Sequence, residues 1–447
     1  MGKNEQKQPD GSSAEEATNL RDDSSAEERS TPSRAFFGER PDAHIGTTIG
    51  EVDPRMAGRS KDPQFEAALS SDSSKDPWVD EAWEHMMQKT QKLAERIGAS
   101  FPHAAPNGRY DQESPGWWTA GFWPGILRLI EQDAADERLS QIADECERQL
   151  EQVLRDPEQV DHDLGFLWLP TGVANYKLNA DRESRRRGLL AANLLLARFN
   201  VQGHFIRAWN FEGRNMDTRG VAIIDCMMNL PLLYWASEET QDPRFKQVAM
   251  LHADMVLKHF VRHDCSVCHA IEFDPETGMK LKEHGGQGFA EGSAWARGTS
   301  WALHGFALSY GYTGKPQYLA AAEGIADFFL EQLGRDIVPV WDFRAAEDHR
   351  VAWDSSAAAI AASGLLELAR HSSRGAFYRE TASGLLHGLY RNFSTPDHEE
   401  GLLVKGTVHY PERRHLNVPI IYGDYFFAEA LAKLRGYPGF FEKTGKA

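Results

Sequence analysis

The chain has 447 residues, 41% of them apolar and 26% charged, which allows a large core and excludes wholesale disorder. Its 49 basic and 66 acidic side chains leave a net charge of −17, which excludes nucleic-acid binding through a basic surface. A few local cations can still serve an acidic small substrate.

No run approaches the roughly 18 to 20 apolar residues that cross a bilayer, so no membrane partner is expected. The opening Met1-Gly2-Lys3-Asn4-Glu5-Gln6 has no apolar signal core. Gln6 also stands where a myristoylation signal needs Ser or Thr. A soluble cytoplasmic protein is expected, one in which the sequon Asn392-Phe393-Ser394 never meets the glycosylation machinery. The four cysteines, Cys146, Cys226, Cys265 and Cys268, are then reduced thiols. Cys265-Ser266-Val267-Cys268-His269 matches a haem-attachment string, but haem attachment needs export, and no second Cys/His pair completes a zinc site. Neither a cofactor nor a metal is expected.

Residues 1–75 differ in kind from the rest. They hold no aromatic before Phe36, repeat Ser-Ser-Ala-Glu-Glu at 12–16 and 24–28, and precede all twelve Trp. Such a segment buries too little apolar area to offset chain entropy, so a disordered acidic tail is expected, followed by one folded domain over 76–447. A chain starting near Asp76 should fold and keep its turnover, which melting and activity of the truncated protein test.

The folded part opens at Asp76-Pro77, an N-cap followed by proline at the first helical position. Helical spacing then predicts helices over 77–97, 117–132, 136–155, 165–179, 183–199 and 218–237. It continues over 242–262, 295–312, 315–333, 354–371, 374–392 and 422–435. Strand signals are few and short, as at Ile337-Val338-Pro339-Val340. Similar helix-opening strings begin at Asp136, Asp181, Asp242 and Lys315, roughly 45 to 75 residues apart. Paired helices with that repeat stack into a solenoid or ring, and twelve make six hairpins. The expected fold is all-α, an (α/α)6 barrel with its active site among the loops at one end.

Three segments carry candidate chemistry. Asp225 sits in the apolar run Val221 to Leu233, where burial should raise its pKa and suit it to general acid catalysis. Asp161-His162-Asp163 precedes a helix, so Asp163 serves equally well as an N-cap or as the partner in a carboxylate pair for glycoside cleavage. Gln287 to Trp301 leads small and polar residues into a helix start bearing Trp295, Arg297 and Trp301. Arg suits a carboxylate ligand, and Trp faces stack on sugar rings, although a Trp is as readily core as platform. The same holds for Trp117, Trp118 and Trp123.

Together these strings resemble a family. Trp118-Thr119-Ala120-Gly121-Phe122-Trp123, His162 to Phe166, Ile224-Asp225-Cys226, Gln287 to Arg297, Asp354-Ser355-Ser356-Ala357 and Gly423-Asp424-Tyr425 are similar, in order, to the unsaturated glucuronyl hydrolases, glycoside hydrolase family 88. The resemblance covers about residues 83 to 436. It implies an (α/α)6 barrel, no metal, and substrates ending in a 4,5-unsaturated uronic acid left by polysaccharide lyases. It further implies a reaction that begins by hydrating the C4=C5 bond. By position, Asp225 matches the general acid/base and Asp163 the second essential carboxylate. His162, Trp209, His269, Gln287, Trp295 and Arg297 match substrate contacts, and Trp118 and Trp301 complete the expected binding set. The chain departs from the family at Trp117 and Ala120, where acidic residues are common, and at Asp161, where a second His is common. Alternatives remain at this stage: an ordinary (α/α)6 glycosidase or a relative acting on unsaturated rhamnogalacturonan fragments, and a sugar-binding barrel without activity. Arg413 or Arg414, ahead of Gly423, is expected to contact an acidic group beyond the cleaved sugar.

Overall fold

The computed structural model describes residues 76–156, 158–210 and 217–443. The expected tail, residues 1–75, lies outside them. Twelve helical rods fill the described residues. The first six positions are taken by α1 (Pro77–Ile97), α2 (Phe122–Ile130), α3 (Glu137–Val153), the pair α4 (Leu164–Trp168) and α5 (Ala174–Asn179), α6 (Arg182–Ala197) and α7 (Leu230–Thr240). After them come α8 (Pro243–His259), α9 (Ala296–Thr313), α10 (Pro316–Leu333), α11 (Ser355–Ala369), α12 (Gly375–Phe393) and α13 (Ile421–Leu434). A π-helical turn, Leu169–Val173, joins α4 to α5 into one rod, with Pro170 removing a regular helical bond there.

Alternate rods form two rings. The rod α4–α5 packs between α2 and α7, and contacts then run α7 to α9, α11, α13 and back to α2, closing an inner ring of six. The outer rods are amphipathic. Helix α3, for example, buries Leu139, Ala143, Cys146, Leu150 and Val153 at helical spacing and leaves its other face polar. The inner rods have no polar face, and all of α11 from Ser355 to Leu368 is buried. Small residues permit that crowding. A Cβ on Gly165 would stand 2.4 Å from Asn229 Cα, and one on Gly305 would stand 2.5 Å from Met227 Cβ. The chain is an (α/α)6 barrel.

Caps support the expected boundaries. Asp136, Asp181 and Asp242 accept from the backbone N–H groups of Arg138, Ser184 and Arg244, each just inside its helix. One expected helix is corrected. Residues 218–229 are not α-helical: beyond the short antiparallel pairs β1 (Phe101–Pro102) with β2 (Gln112–Glu113) and β3 (Phe199–Asn200) with β4 (Phe205–Ile206), a 3-10 turn (Thr218–Gly220) leads into strand β5 (Val221–Ile223) and a second 3-10 turn (Ile224–Met228). The β-branched Val221, Ile223 and Ile224 favour extended chain, and Pro231 sits in the first turn of α7. The 117–132 helix also starts late, at Phe122, after turns through Trp117 to Gly121. The strand signal near Ile337 shrinks to a single bridge, Val340 to Trp353.

Strand β5 pairs antiparallel with β6 (Ala270–Phe273), which pairs with β7 (Lys280–His284). In the barrel interior, Phe441 of the C-terminal segment packs on Phe166, Tyr425 and Phe426. Lys433 there lies 2.7 Å from Glu442.

Candidate active site

All six inner rods begin at the same end of the barrel. Gly121 precedes α2, Asp163 precedes α4, the Asp225 turn leads into α7, Trp295 precedes α9, Asp354 precedes α11, and Ile420 precedes α13. Their positive dipole ends therefore converge on one mouth, a setting that favours carboxylates of protein and ligand alike.

The small sheet sets the central contact. Ile223 pairs with Ala270, and Ile224 N–H donates to the His269 carbonyl at 2.9 Å. Asp225 and His269, one residue further along their strands, face each other with Oδ2 and Nε2 3.5 Å apart. The imidazole is oriented from behind: Gln287 N–H donates to its Nδ1 at 3.0 Å. Nδ1 is therefore the acceptor, and the proton sits on Nε2, facing Asp225. Gly286, at φ +59, makes this possible, since a Cβ there would stand 1.8 Å from Nδ1.

Asp163 is no cap. Its carboxyl makes no hydrogen bond to the first turn of α4 and instead lies near Asn229 Nδ2, at 3.4 Å, and His162 Nε2, at 3.5 Å. Asn229 is a hub that sequence reading missed. Wholly buried, it accepts from Phe166 N–H at 2.9 Å and also reaches the Asp225 carbonyl at 3.3 Å. It thus ties the two carboxylate segments together, though no local pattern around it marks that role.

The electrostatics reverse one expectation. Burial pushes Asp225 upward, but the nearby Nε2–H of His269 and the charge of Arg297 outweigh it, and its carboxyl falls below the ordinary range. Asp163 goes the other way. Burial, then the negative charges of Asp161 and Asp225, hold it well above the ordinary range against the Asn229 hydrogen bond. Burial drops His162 to about 3, so it is neutral. The surroundings thus push the pair apart, Asp225 toward the ionised form and Asp163 toward the protonated one.

This division carries a stability prediction. A carboxyl raised by the fold binds more protons folded than unfolded, so it costs stability as pH rises above about 4. Asp163→Asn should therefore melt higher than the wild type at neutral pH, by a margin that grows as pH rises from about 4. The same variant should lose turnover, the trade-off expected of a strained functional group. Melting curves across pH, beside activity, check both halves.

Arg297 does not reach outward as a free clamp. It is 1% exposed, its Nη1 bonded to Asp354 Oδ2 and to the Thr407 carbonyl at 2.6 Å. Its Nη2 donates to Gln287 Oε1 at 2.9 Å and to the Val408 carbonyl at 2.7 Å. The guanidinium lies between the rings of Trp295 and Tyr422, at 4.5 and 5.1 Å. Tyr422 was not singled out from sequence, and it packs on Trp118 at 4.8 Å. Trp209 packs on the small cluster of Ala208, Val221, Ile223 and Ala270. Trp301 is the outlier of the expected set: fully buried one turn below Arg297, it packs on Phe166 and Phe426 as core. Arg413 lies over Tyr410 at 4.1 Å, and Arg414 is 3.8 Å from Glu412.

Among the described residues, buried polar atoms without a hydrogen-bond partner gather here. They include Asp225 Oδ2, His269 Nε2, both His162 ring nitrogens and Arg297 Nε. No three His, Cys, Asp or Glu of the described residues gather as metal ligands. The four cysteines are unpaired, and no described helix is long and apolar enough to span a membrane.

A helical barrel whose mouth holds two buried carboxylates pushed in opposite directions, ringed by aromatic faces, defines a carbohydrate-cleaving barrel enzyme. Residues 82–415 match the family model of Glycosyl Hydrolase Family 88, and the chain belongs to that family of glycoside hydrolases. It is 35% identical over 323 residues to an unsaturated chondroitin disaccharide hydrolase of Streptococcus pyogenes serotype M1, covering 71% of this chain and 80% of that one. It is 34% identical over 366 residues to the unsaturated glucuronyl hydrolase of Bacillus sp. strain GL1, covering 80% and 97%. The crystal structure of the Bacillus sp. GL1 enzyme superposes with a TM-score of 0.78 at 32% identity, over 82% of this chain and all 100% of the other. An unsaturated glucuronyl hydrolase specific for heparin superposes with a TM-score of 0.75 at 30% identity, over 81% and 97%.

Proposed function

We propose that the enzyme releases the terminal 4,5-unsaturated uronic acid from lyase-generated oligosaccharides, beginning with hydration of the C4=C5 bond. The observation that carries this is the facing pair Asp225 and His269, each presenting an unpartnered polar atom, with the Asp163 carboxyl, pushed up by burial, close by.

The ionised Asp225 needs a proton before it can act as an acid. Entry of the uronyl carboxylate supplies the cause, because a second negative charge beside a buried carboxylate favours the protonated form. Asp225 then gives its proton to C4, and positive charge develops at C5, shared with the ring oxygen. Water adds at C5 as Asp225, again a carboxylate, takes the water's proton. The resulting hemiketal opens between C5 and the ring oxygen, leaving a ketone at C5 and a hemiacetal at C1 that sheds the remaining oligosaccharide. Asp163, kept neutral, avoids repelling the substrate carboxylate. His269 Nε2–H and Gln287 orient the sugar, with Trp118, Trp209 and Trp295 as apolar faces. His162 and the Arg297 network hold the walls in place.

Names of the relatives point to chondroitin and heparin fragments, so glycosaminoglycan disaccharides are the first substrates to try. Unpaired thiols support a cytoplasmic enzyme acting on imported fragments. The test is a panel of unsaturated disaccharides from chondroitin, heparin and rhamnogalacturonan, beside saturated analogues, followed by loss of double-bond absorbance. Turnover of glucuronyl substrates alone is expected. Hydrolysis of saturated analogues, or of rhamnogalacturonan fragments only, would overturn the proposal.

A further inference from the structure

We infer that the rim of the funnel carries a binding site for the third sugar of an acidic substrate, built from the indole of Trp353 and the ammonium of Lys405. This rests on the reading of the substrate as an unsaturated uronyl oligosaccharide. Trp353 stands immediately before Asp354, the partner of Arg297, in the loop that enters α11 at the active-site end. Its backbone is pinned from both sides: N–H donates to Asn417 Oδ1 at 2.9 Å, and its carbonyl accepts from the Thr407 hydroxyl at 2.7 Å. The indole is nevertheless 38% exposed, and Val351 beside it is 52% exposed. A partly exposed aromatic ring on a pinned backbone next to a sugar site is what a pyranose ring stacks on.

Lys405 Nζ lies 4.5 Å from the centroid of that indole. It has no carboxylate partner among the described residues, in a chain whose net charge is −17. Deeper cations such as Arg128 and Lys433 are paired with acids. Lys405 also holds φ +68, in a loop where Arg413, His415 and Asn417 have positive φ too. Non-glycine residues stay in that region only where their surroundings enforce it, so the backbone that carries this side chain is set by the fold.

The charge selects the occupant. In an alternating chain of uronic acid and hexosamine, the third sugar from the unsaturated end is again a uronic acid. Its ring face can stack on Trp353 while its carboxylate meets Lys405. A disaccharide ends before this position. The site therefore confers selectivity for length and charge without touching the bond that reacts.

The experiment compares kcat/KM for three substrates: an unsaturated disaccharide, a tetrasaccharide with uronic acid in third place, and one with a neutral third sugar. Trp353→Ala should leave the disaccharide within about twofold of wild type and lower the acidic tetrasaccharide about tenfold. Lys405→Gln should lower the acidic tetrasaccharide about fivefold and spare the neutral one. Thermal melting of each variant checks its fold. Equal losses on disaccharide and tetrasaccharide, or no loss on the acidic tetrasaccharide, would overturn the inference. Wild-type turnover of the disaccharide separately checks the proposed function.

Discussion

Asp225→Asn should fold normally, bind the unsaturated disaccharide with little change in KM, and lose at least about 10²-fold in kcat. The substitution keeps the shape of the turn after β5 and removes the carboxylate that gives and then takes the proton. General acid–base catalysis contributes about 10²–10⁴-fold, and a residue serving both steps stands at the upper part of that range. His269 Nε2–H still finds an oxygen acceptor in Asn, which is why binding should survive. Initial loss of double-bond absorbance measures the rate, and thermal melting controls for folding. A well-folded Asp225→Asn enzyme with near-normal turnover would remove Asp225 from the chemistry.

The second large effect belongs to Arg297 and concerns stability. Its guanidinium and the Asp354 carboxylate are 1% and 0% exposed, and the arginine also satisfies the carbonyls of Thr407 and Val408. Arg297→Met fills much of the same volume but strands a buried carboxylate and leaves two carbonyls without their donor. Breaking one side of a buried ion pair costs about 3–5 kcal/mol, so the variant should melt well below wild type or fail to accumulate. Arg297→Lys should fall between, since an ammonium cannot reproduce the planar fork. Chemical denaturation of the three proteins decides it. A melting point for Arg297→Met equal to wild type would make the pair a bystander.

Much of the barrel was legible in the sequence because its signals are local. Asp136, Asp181 and Asp242 announce helix starts through bonds that span two or three residues, and the amphipathic outer helices repeat every 3.6. The stretch 218–229 misled because an all-apolar run looks alike as buried helix or buried strand, and only pairing with Ala270 to Glu272 decides it. Trp301 misled for a similar reason, since side-chain type does not reveal which way a helix face turns. Asn229 left no trace at all, because its partners Phe166 and Asp163 lie more than sixty residues away along the chain.

By itself, the amino-acid sequence determined the number of rods, the boundaries of most of them, and the ordered motifs that identify the family. Tertiary structure alone decided the chemistry's poise. The pairing of β5 with β6 brings His269 against Asp225, and the Gly286 turn fixes which nitrogen bears the proton. The loop before α4 leaves Asp163 beside two other carboxylates. Burial would raise either aspartate, and so sequence alone assigned the raised pKa to Asp225. The sign in the folded protein depends on which charges stand within a few ångströms, and those distances exist only once the six inner helices converge.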